Sequence, residues 1–239
     1  MSNFFRLDDF IDKEKDKTAF VCGMGPSLSD YIDRINKEDC VKVACSDVDL
    51  MTNIIPDYWV FANSMNSAVD MNERWKKMET SIIVHADSVD VTSNKWIIEN
   101  VKNKYIGYDQ RHFDNKTCSC CPNGCANFVE GRKTIQELLR DYSGIDEKYN
   151  TGHTVALHCL ALAILLGCNK IFLCGIDLDY TLGYVDKKTF NGDSFIPWLP
   201  EILDDFRIIK KSSENLGIEI YNTSQNSPLK EIFNTVIDF

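Results

Sequence analysis

The stretch Thr18-Ala19-Phe20-Val21-Cys22-Gly23-Met24-Gly25-Pro26-Ser27-Leu28 decides the fold that the sequence predicts. Its first five residues form an apolar run of the length of a buried strand, and the run stops at Gly23. Ser27 then begins a segment in which apolar residues have helical spacing. The stretch therefore predicts a strand, a glycine turn and a helix, in that order.

Strands and helices alternate along the rest of the sequence. Short apolar runs bounded by turn residues are separated by segments with helical periodicity. Further strands are predicted at 41–45, 58–62, 81–85, 104–107, 170–175 and 218–221. Helices are predicted at 47–53, 67–78, from 92 or 93 to 101, and at 134–141, 154–166 and 201–216.

This alternation predicts the fold class. Alternating strands and helices are typical of a parallel sheet, and a strand that is apolar throughout, such as 171–174, is expected where both faces of the sheet are covered. The sequence therefore predicts an α/β fold with a single Rossmann-like, doubly wound, mostly parallel sheet and helices on both faces. Residues 1–239 are expected to form one domain, with an irregular cysteine-rich insertion at about 109–132.

Composition limits the classes of partner. The chain has a formal net charge of -10 at pH 7, and no run of lysine or arginine is dense enough to bind a phosphate backbone, so nucleic acid is excluded. Residues 1–17 are polar and charged, unlike a secretory signal, and the apolar stretch 154–166 is too short to span a bilayer. These features predict a cytoplasmic protein with no membrane span and mostly reduced cysteines.

The turn at 23–28 is the first candidate for a ligand contact, because ligands of open α/β sheets bind beyond the carboxyl ends of the strands. Its glycines let the backbone approach a ligand closely, and a helix start favours an anion such as a phosphate or a carboxylate. The turn lacks the Gly-Lys-Ser/Thr of a Walker loop, and Leu28 stands where a dinucleotide fingerprint has its third glycine. A purely structural turn is the alternative.

Small polar residues follow the other predicted strands and open the apolar helix. They are Ser46, Asp47 and Asp49 after 41–45, Asn63 and Ser64 after 58–62, Thr151, Gly152 and His153 before 154–166, and Gly175, Ile176 and Asp177 at the end of 170–175. Each has a structural alternative, since Asp47 can cap a helix and Asn63 or Ser64 can satisfy loop backbone. Their shared position at one edge of the sheet predicts a ligand site.

Four of these motifs, together with a dipeptide near the end of the sequence, occur in an order that resembles a known family. They are 23–28, Asn63, Thr151-Gly152, Gly175-Ile176-Asp177 and the late Asn226-Ser227. The set resembles bacterial sialyltransferases of the Campylobacter lipooligosaccharide type. It also resembles the broader group that contains motility-associated flagellin glycosyltransferases and archaeal hydroxymethylpterin pyrophosphokinases. The resemblance covers roughly residues 18–230.

The resemblance implies a glycosyltransferase that binds a CMP-activated sugar, a sialic or other nonulosonic acid, and transfers it to a glycan or protein acceptor. Such enzymes require no cofactor, and the oligomeric state stays open. The ligand-binding residues carried over from the family are Gly23, Met24, Gly25 and Ser27 in the turn that lines the donor phosphate, Ser46, Asn63 and Ser64 at the donor, Thr151 and Gly152 on the nucleotide side, and Gly175, Ile176 and Asp177 at the cytidine.

The catalytic candidates are one histidine and two tyrosines. The family places its base in the region after Gly-Ile-Asp, where this sequence has no histidine, so His153, the only histidine inside a family motif, is the candidate base. A role at the helix start is the alternative for His153. Tyr180 and Tyr184 lie close to the places of the two family tyrosines that stabilise the departing phosphate.

Two other functions stay open. The pyrophosphokinase relatives transfer diphosphate from ATP with Mg²⁺, and either Asp47 with Asp49 or Asp177 with Asp179 offers the oxygen ligands that this ion prefers. The second alternative is a non-catalytic nucleotide-binding module that kept the pocket and lost the base. The absence of a histidine after Asp177 favours that module.

A cysteine cluster lies within the irregular insertion. Thiolates and an imidazole in a short loop can surround a tetrahedral zinc ion, although the spacing is not that of a standard zinc motif. Adjacent cysteines strain a site that uses both, so three cysteines and one histidine form the easier set. The candidate ligands of this structural zinc are His112, Cys118, Cys120 and Cys125. Reduced thiols in a surface loop are the alternative.

Overall fold

The computed structural model describes residues 4–61, 74, 77–86, 105–108, 135–145, 147, 154–179, 181–186 and 196–238. Nine strands in these residues form one sheet, in which every strand pair is parallel. The strands are β1 (Phe4–Arg6), β2 (Thr18–Cys22), β3 (Val41–Cys45), β4 (Tyr58–Phe61), β5 (Ile82–Ala86), β6 (Tyr105–Tyr108), β7 (Lys170–Cys174), β8 (Glu219–Asn222) and β9 (Asn234–Thr235).

The strand order places the predicted ligand turns side by side. The order across the sheet is β1-β6-β5-β4-β3-β2-β7-β8-β9. The chain proceeds from β2 toward one edge and later returns to β7, which pairs with the other side of β2, so the order reverses between these two strands. Such a switch point opens a crevice at the carboxyl ends of the strands, where ligands of doubly wound sheets bind.

Helices cover both faces of this sheet, as the sequence predicts. The α-helices of the described part are α1 (Ile32–Lys37), α2 (Val48–Met51), α3 (Ile135–Ser143), α4 (Val155–Leu165) and α5 (Leu199–Asn215). On one face, α4 packs on β3, with Cys159 near enough to Cys45 for the two thiols to act on each other. On the opposite face, Arg34 of α1 lies near enough to Cys174 of β7 to act on its charge. Side chains alternate along strands, and the pairing register assigns Cys45 and Cys174 to different faces.

The helix α4 is buried nearly all round because its sequence carries no charged residue. Ten of its positions, from Ala156 to Leu165, are buried, and Thr154 caps its start by accepting a hydrogen bond from the amide of Ala156. The helix packs on the central strands β2, β3 and β4. Burial of so much apolar side chain on the middle of the sheet fixes the strand ends that form the crevice.

The predicted elements agree with the structure apart from their ends and the outer strands. Each predicted strand is present within one residue at either end, whereas the helix expected directly after the first turn begins as a 3-10 helix at Pro26–Asp30 before α1. The edge strands β1 and β9 were not predicted, because runs of two or three residues carry no periodic signal. The helices expected at 67–78 and 92–101 lie wholly or largely outside the described residues.

Candidate functional site

The turns after β2 and β7 are joined by backbone hydrogen bonds. The amide of Gly23 donates to the carbonyl of Cys174 at 2.8 Å, and the amide of Gly25 donates to the carbonyl of Gly175 at 2.8 Å. These bonds extend the pairing of the two strands beyond their ends. The Gly-x-Gly turn and the Gly-Ile-Asp turn therefore form one wall of the crevice, as the sequence motifs lead us to expect.

Glycine is required in this wall for contacts within the protein itself. A Cβ on Gly23 would lie 2.3 Å from the carbonyl oxygen of Gly175, and a Cβ on Gly25 would lie 2.3 Å from a carboxylate oxygen of Asp177. Gly175 has a φ of 67°, in the left-handed region that side chains disfavour. The sequence attributes these glycines to the close approach of a ligand, whereas the structure shows that the approach of the two turns already demands them.

Asp177 and Ser27 place two unpartnered polar atoms at the junction of the turns. The amide of Ser27 donates to Oδ2 of Asp177 at 3.0 Å. Asp177 is only 4% exposed, and its Oδ1 has no hydrogen-bond partner among the described residues; neither has the buried hydroxyl of Ser27. A buried acceptor and a buried hydroxyl without partners are costly unless a ligand satisfies them. They are the strongest indication that this crevice is a binding site.

Ile176, between Gly175 and Asp177, is fixed to the fold. Its side chain is buried in the core, and its carbonyl accepts a hydrogen bond from the hydroxyl of Ser227 at 2.9 Å. The same Ser227 hydroxyl caps the 3-10 helix Pro228–Glu231 by accepting from the amide of Leu229. Ser227, of the Asn226-Ser227 motif, thus fixes the backbone of the turn after β7 by a hydrogen bond. Asn226, beside it, is exposed.

The turn after β3 is held in a left-handed conformation. Ser46 has a φ of 45°, and its amide donates to the carbonyl of Val60 at 2.9 Å. Its carbonyl accepts hydrogen bonds from Nε1 of Trp59 at 2.8 Å and from Arg74 at 3.3 Å. Asp47 does not cap the following helix α2, so the capping role weighed for it in the sequence analysis is wrong; its carboxylate pairs with Arg74 at 3.0 Å.

Arg74 is the charged residue of this region that the sequence analysis missed. Its guanidinium makes two hydrogen bonds to the buried Asp49, at 2.6 and 2.8 Å, and lies 4.9 Å from the centre of the Trp59 ring. Both carboxylate oxygens of Asp49 are thus bound to Arg74. In this arrangement Asp49 is engaged with Arg74, and the role of Asp47 and Asp49 as oxygen ligands of Mg²⁺ stays a prediction. No local pattern identifies Arg74, because the pairing joins residues 25 positions apart.

The segment that carries Tyr184 lies against the first turn. The amide of the next residue, Val185, donates to the carbonyl of Met24 at 2.9 Å, which ties this segment to the Gly-x-Gly turn. Burial raises the pKa of the Tyr184 phenol above its usual value of 10.0, and the negative charge of Asp47 raises it further. The phenol is therefore protonated at neutral pH and can donate a hydrogen bond to a ligand anion.

Asp179, two residues after Asp177, stabilises its own loop. Its Oδ1 accepts hydrogen bonds from the amide of Thr181 at 3.0 Å and from the hydroxyl of Thr181 at 2.6 Å. Leu178, between the two aspartates, has a φ of 50°, which turns the chain sharply after β7. The strained turn aims Asp177 into the crevice and Asp179 away toward the loop, so the two carboxylates have different surroundings.

Buried thiols lie on both faces of the central strands. Cys22, Cys45, Cys159 and Cys174 are free and buried. Burial raises the pKa values of Cys22, Cys159 and Cys174, that of Cys174 to about 12. Thiols with raised pKa values are protonated and unreactive at neutral pH. These three thiols therefore belong to the apolar core and are not a source of nucleophiles.

Several residues predicted for the site lie outside the described residues. They are Asn63, Ser64, Thr151, Gly152, His153 and Tyr180, together with the zinc candidates His112, Cys118, Cys120 and Cys125. Their roles stay predictions, and elemental analysis of protein purified without added metal tests the zinc site. Within the described ranges, no group of three or more His, Cys, Asp or Glu residues is arranged to bind a metal ion. No helix there is long and apolar enough to cross a membrane.

The fold and the crevice define an α/β protein with a doubly wound parallel sheet and a candidate ligand site at its switch point. The sequence model of one family, 6-hydroxymethylpterin diphosphokinase MptE-like, matches residues 1–183. The chain belongs to this MptE-like family. No curated protein matches it in sequence.

Solved sialyltransferase structures share the fold. The sialyltransferase CstII from Campylobacter jejuni in complex with the substrate analogue CMP-3FNeuAc is 16% identical, over 92% of this chain and 86% of that chain, with a TM-score of 0.54. CstII with a trisaccharide acceptor and CMP is 17% identical over the same shares, with a TM-score of 0.51. The monofunctional α-2,3-sialyltransferase Cst-I from Campylobacter jejuni is 15% identical over 93% of this chain and 81% of that chain, with a TM-score of 0.53.

Proposed function

We propose that this protein binds a CMP-activated sugar, a sialic or other nonulosonic acid, and transfers the sugar to a glycan or protein acceptor. The observation that carries the proposal is the buried Asp177, whose Oδ1 has no partner among the described residues at the switch-point crevice. A nucleoside supplies the O–H and N–H donors that a carboxylate oxygen accepts. The sialyltransferase CstII, which shares the fold, is solved with CMP and with CMP-3FNeuAc.

The charges near the crevice favour a donor with a single phosphate. The described acidic groups there include Asp177, Asp47 and Asp186, and the charge of the Arg74 guanidinium is shared with Asp47 and Asp49. A CMP-sugar brings one negative charge on its phosphodiester, whereas ATP brings several and needs a metal ion to offset them. Backbone amides of the 23–28 turn and the Tyr184 phenol can solvate the smaller charge.

The transfer step requires a proton acceptor and a stabiliser of the leaving group. The acceptor hydroxyl gives its proton to a base, its oxygen forms a bond to the anomeric carbon, and the bond from that carbon to the CMP phosphate oxygen breaks. We assign the base to His153 and the stabilisation of the departing phosphate to Tyr184, whose raised pKa keeps its O–H in place at neutral pH. Tyr180 is the second tyrosine proposed for this phosphate.

The family name favours one alternative, an ATP-dependent diphosphokinase. The free Oδ1 of Asp177 would then bind Mg²⁺, and Asp179 would have to turn away from Thr181 to become a second oxygen ligand. A third possibility is a protein that binds the nucleotide and performs no chemistry. All three share the crevice and differ in the ligand and in turnover.

Ligand screening followed by a turnover assay separates these functions. Thermal shift is measured with CMP, CDP, CTP, and ATP with and without Mg²⁺, since a ligand that binds only the folded protein raises the melting temperature. We expect stabilisation by the cytidine nucleotides and release of CMP from CMP-N-acetylneuraminic acid. Stabilisation by ATP with Mg²⁺ alone would instead support the diphosphokinase. Binding of CMP without release of CMP from the donor would support the non-catalytic module.

The assignment of His153 has its own test. Replacing the base, His153→Ala, should remove transfer while the melting temperature and the affinity for CMP stay the same. If the residue only starts the helix at 154–166, the variant loses stability and keeps its turnover per folded molecule. Retained turnover would reject the catalytic role.

A further inference from the structure

The two carboxylates paired with Arg74 differ sharply in burial. The side chain of Asp49 is 1% exposed and binds the guanidinium through both oxygens, at 2.6 and 2.8 Å. The side chain of Asp47 is 49% exposed and makes one contact, at 3.0 Å to Nη2. A buried bidentate pair is costly to break, whereas a half-exposed single contact contributes little. The Asp49 pair is therefore permanent, and the Asp47 pair can exchange.

Arg74 keeps its position when Asp47 moves away. Its guanidinium lies over Trp59, 4.9 Å from the ring centre, and 5.9 Å from the centre of the Phe61 ring. It also donates to the carbonyl of Ser46 at 3.3 Å. The side chain is only 7% exposed. An arginine fixed in this way is prepared for a second anion, because little rotamer freedom remains to be lost.

Asp47 and Arg74 lie at the same edge of the sheet as the proposed donor crevice. Ser46 and Asp47 directly follow β3, which pairs with β2, and the 23–28 turn directly follows β2, so the two turns leave neighbouring strands at their carboxyl ends. Asp47 and the Arg74 guanidinium paired with it are therefore neighbours of the turn that we assign to the donor phosphate. A phosphate at that turn and the carboxylate of Asp47 would compete for the same guanidinium.

We propose that Arg74 is a phosphate-binding residue of the crevice and that Asp47 pairs with its Nη2 until a phosphate of the ligand displaces the carboxylate. The inference rests on the proposed function for the identity of the nucleoside, but the recognised chemistry is a phosphate in either case. Displacement puts the ligand charge on Arg74 and releases Asp47 to solvent. The exchange makes affinity depend on the phosphate more than on the nucleoside.

The test removes the competing carboxylate with Asp47→Ser. Titration calorimetry compares CMP with cytidine, because only CMP carries the phosphate. We expect CMP to bind about fivefold tighter to the variant than to the unaltered protein, with the affinity for cytidine unchanged. The charge control is Asp186→Ser, which removes an equal charge that also acts on Tyr184. Its affinity for CMP should rise by less than about twofold.

Three results would overturn the proposal. They are an unchanged affinity of Asp47→Ser for CMP, an equal gain for cytidine, and an equal gain in Asp186→Ser. If the protein prefers ATP, the proposed donor is wrong, and the same comparison of ATP with adenosine tests Arg74 independently. Failure of the donor proposal and failure of the Arg74 proposal are thus distinguishable.

Discussion

The amide of Ser27 donates a hydrogen bond to Oδ2 of Asp177 across 150 residues of sequence, at 3.0 Å. This bond orients the carboxylate so that its other oxygen remains for a ligand. It also links the start of the helical segment after β2 to the turn after β7. The site is therefore a property of the junction between two strands rather than of either motif alone.

Asp177→Asn should lose the ligand and keep the fold. The asparagine oxygen can still accept from Ser27, but the charge is lost and an N–H group replaces the free acceptor. Because a hydrogen bond to a charged group contributes about 1.5–3 kcal/mol, we expect the affinity for CMP to fall by at least about tenfold. Calorimetry measures the change, with Asp179→Asn as the control in the same loop. Equal affinities in the two variants would show that Asp177 does not bind the nucleotide.

Gly25→Ala should weaken both stability and binding. A Cβ there lies 2.3 Å from Asp177 and 2.9 Å from the carbonyl of Gly175, so the two turns must separate at a cost of about 1–3 kcal/mol. Gly217→Ala is the control, since its φ of 71° costs about 1 kcal/mol in open space far from the crevice. Urea unfolding should show that Gly217→Ala loses stability, and CMP titration should show that it keeps its affinity for CMP. A Gly25→Ala variant with full affinity for CMP would contradict the proposal that the junction of the two turns forms the CMP site.

Tyr184→Phe should slow transfer without weakening CMP binding. Loss of one donor to the leaving phosphate is expected to lower kcat about a hundredfold. Since the pKa of Tyr184 is raised above 10.0, its phenol stays protonated as pH rises from 7 to 10, so it should cause no alkaline loss of rate in that range. Asp47→Ser removes one cause of the raised pKa and should move any alkaline limb to lower pH. A limb that does not move would argue against Tyr184 as the donor.

Asp49→Ala should be the most destabilising of these substitutions. It leaves the guanidinium of Arg74 buried against Trp59 with only the exposed Asp47 as a charged partner. Breaking a buried pair in this way costs about 3–5 kcal/mol. The control is Asp204→Ala, which breaks an exposed pair with Arg207 and should cost less than about 1 kcal/mol. Similar unfolding midpoints for the two variants would mean that the Asp49 pair contributes little.

The central fold was predictable because it depends on local patterns. The runs that became β2, β3 and β7 are apolar throughout and end at glycine or small polar residues, which are signals that lie within a few positions. The ion pair between Arg74 and Asp49, beside Trp59, was not predictable from local patterns. Arg74 and Asp49 meet only after β3 and β4 pair, and the periodicity of neither segment records that contact.

In the candidate site too, local sequence predicts some features and tertiary structure alone determines others. Gly23, Gly25, Gly175 and Asp177 were identified from their places at strand ends, and the structure brings them together. Ser27 contacts Asp177 through its backbone amide, and its hydroxyl has no partner among the described residues. The sequence could not predict this contact, because the direction of one amide depends on tertiary geometry. Strand ends predict which residues gather, and side-chain packing decides which atoms remain for a ligand.

The site depends on the pairing of β2 with β7, and this pairing determines when the site forms during folding. Strands about 150 residues apart close a long loop, whose entropy cost must be met before the contact stabilises the chain, so this pairing belongs to the slow, high-contact-order part of folding. A partly synthesised chain that has not reached β7 therefore contains the glycine turn without a crevice. Once formed, the junction is also where a bridging nucleotide would oppose separation of the two strands. The ligand would then hold together two strands that are distant in sequence, and its effect would appear as a slower rate of unfolding.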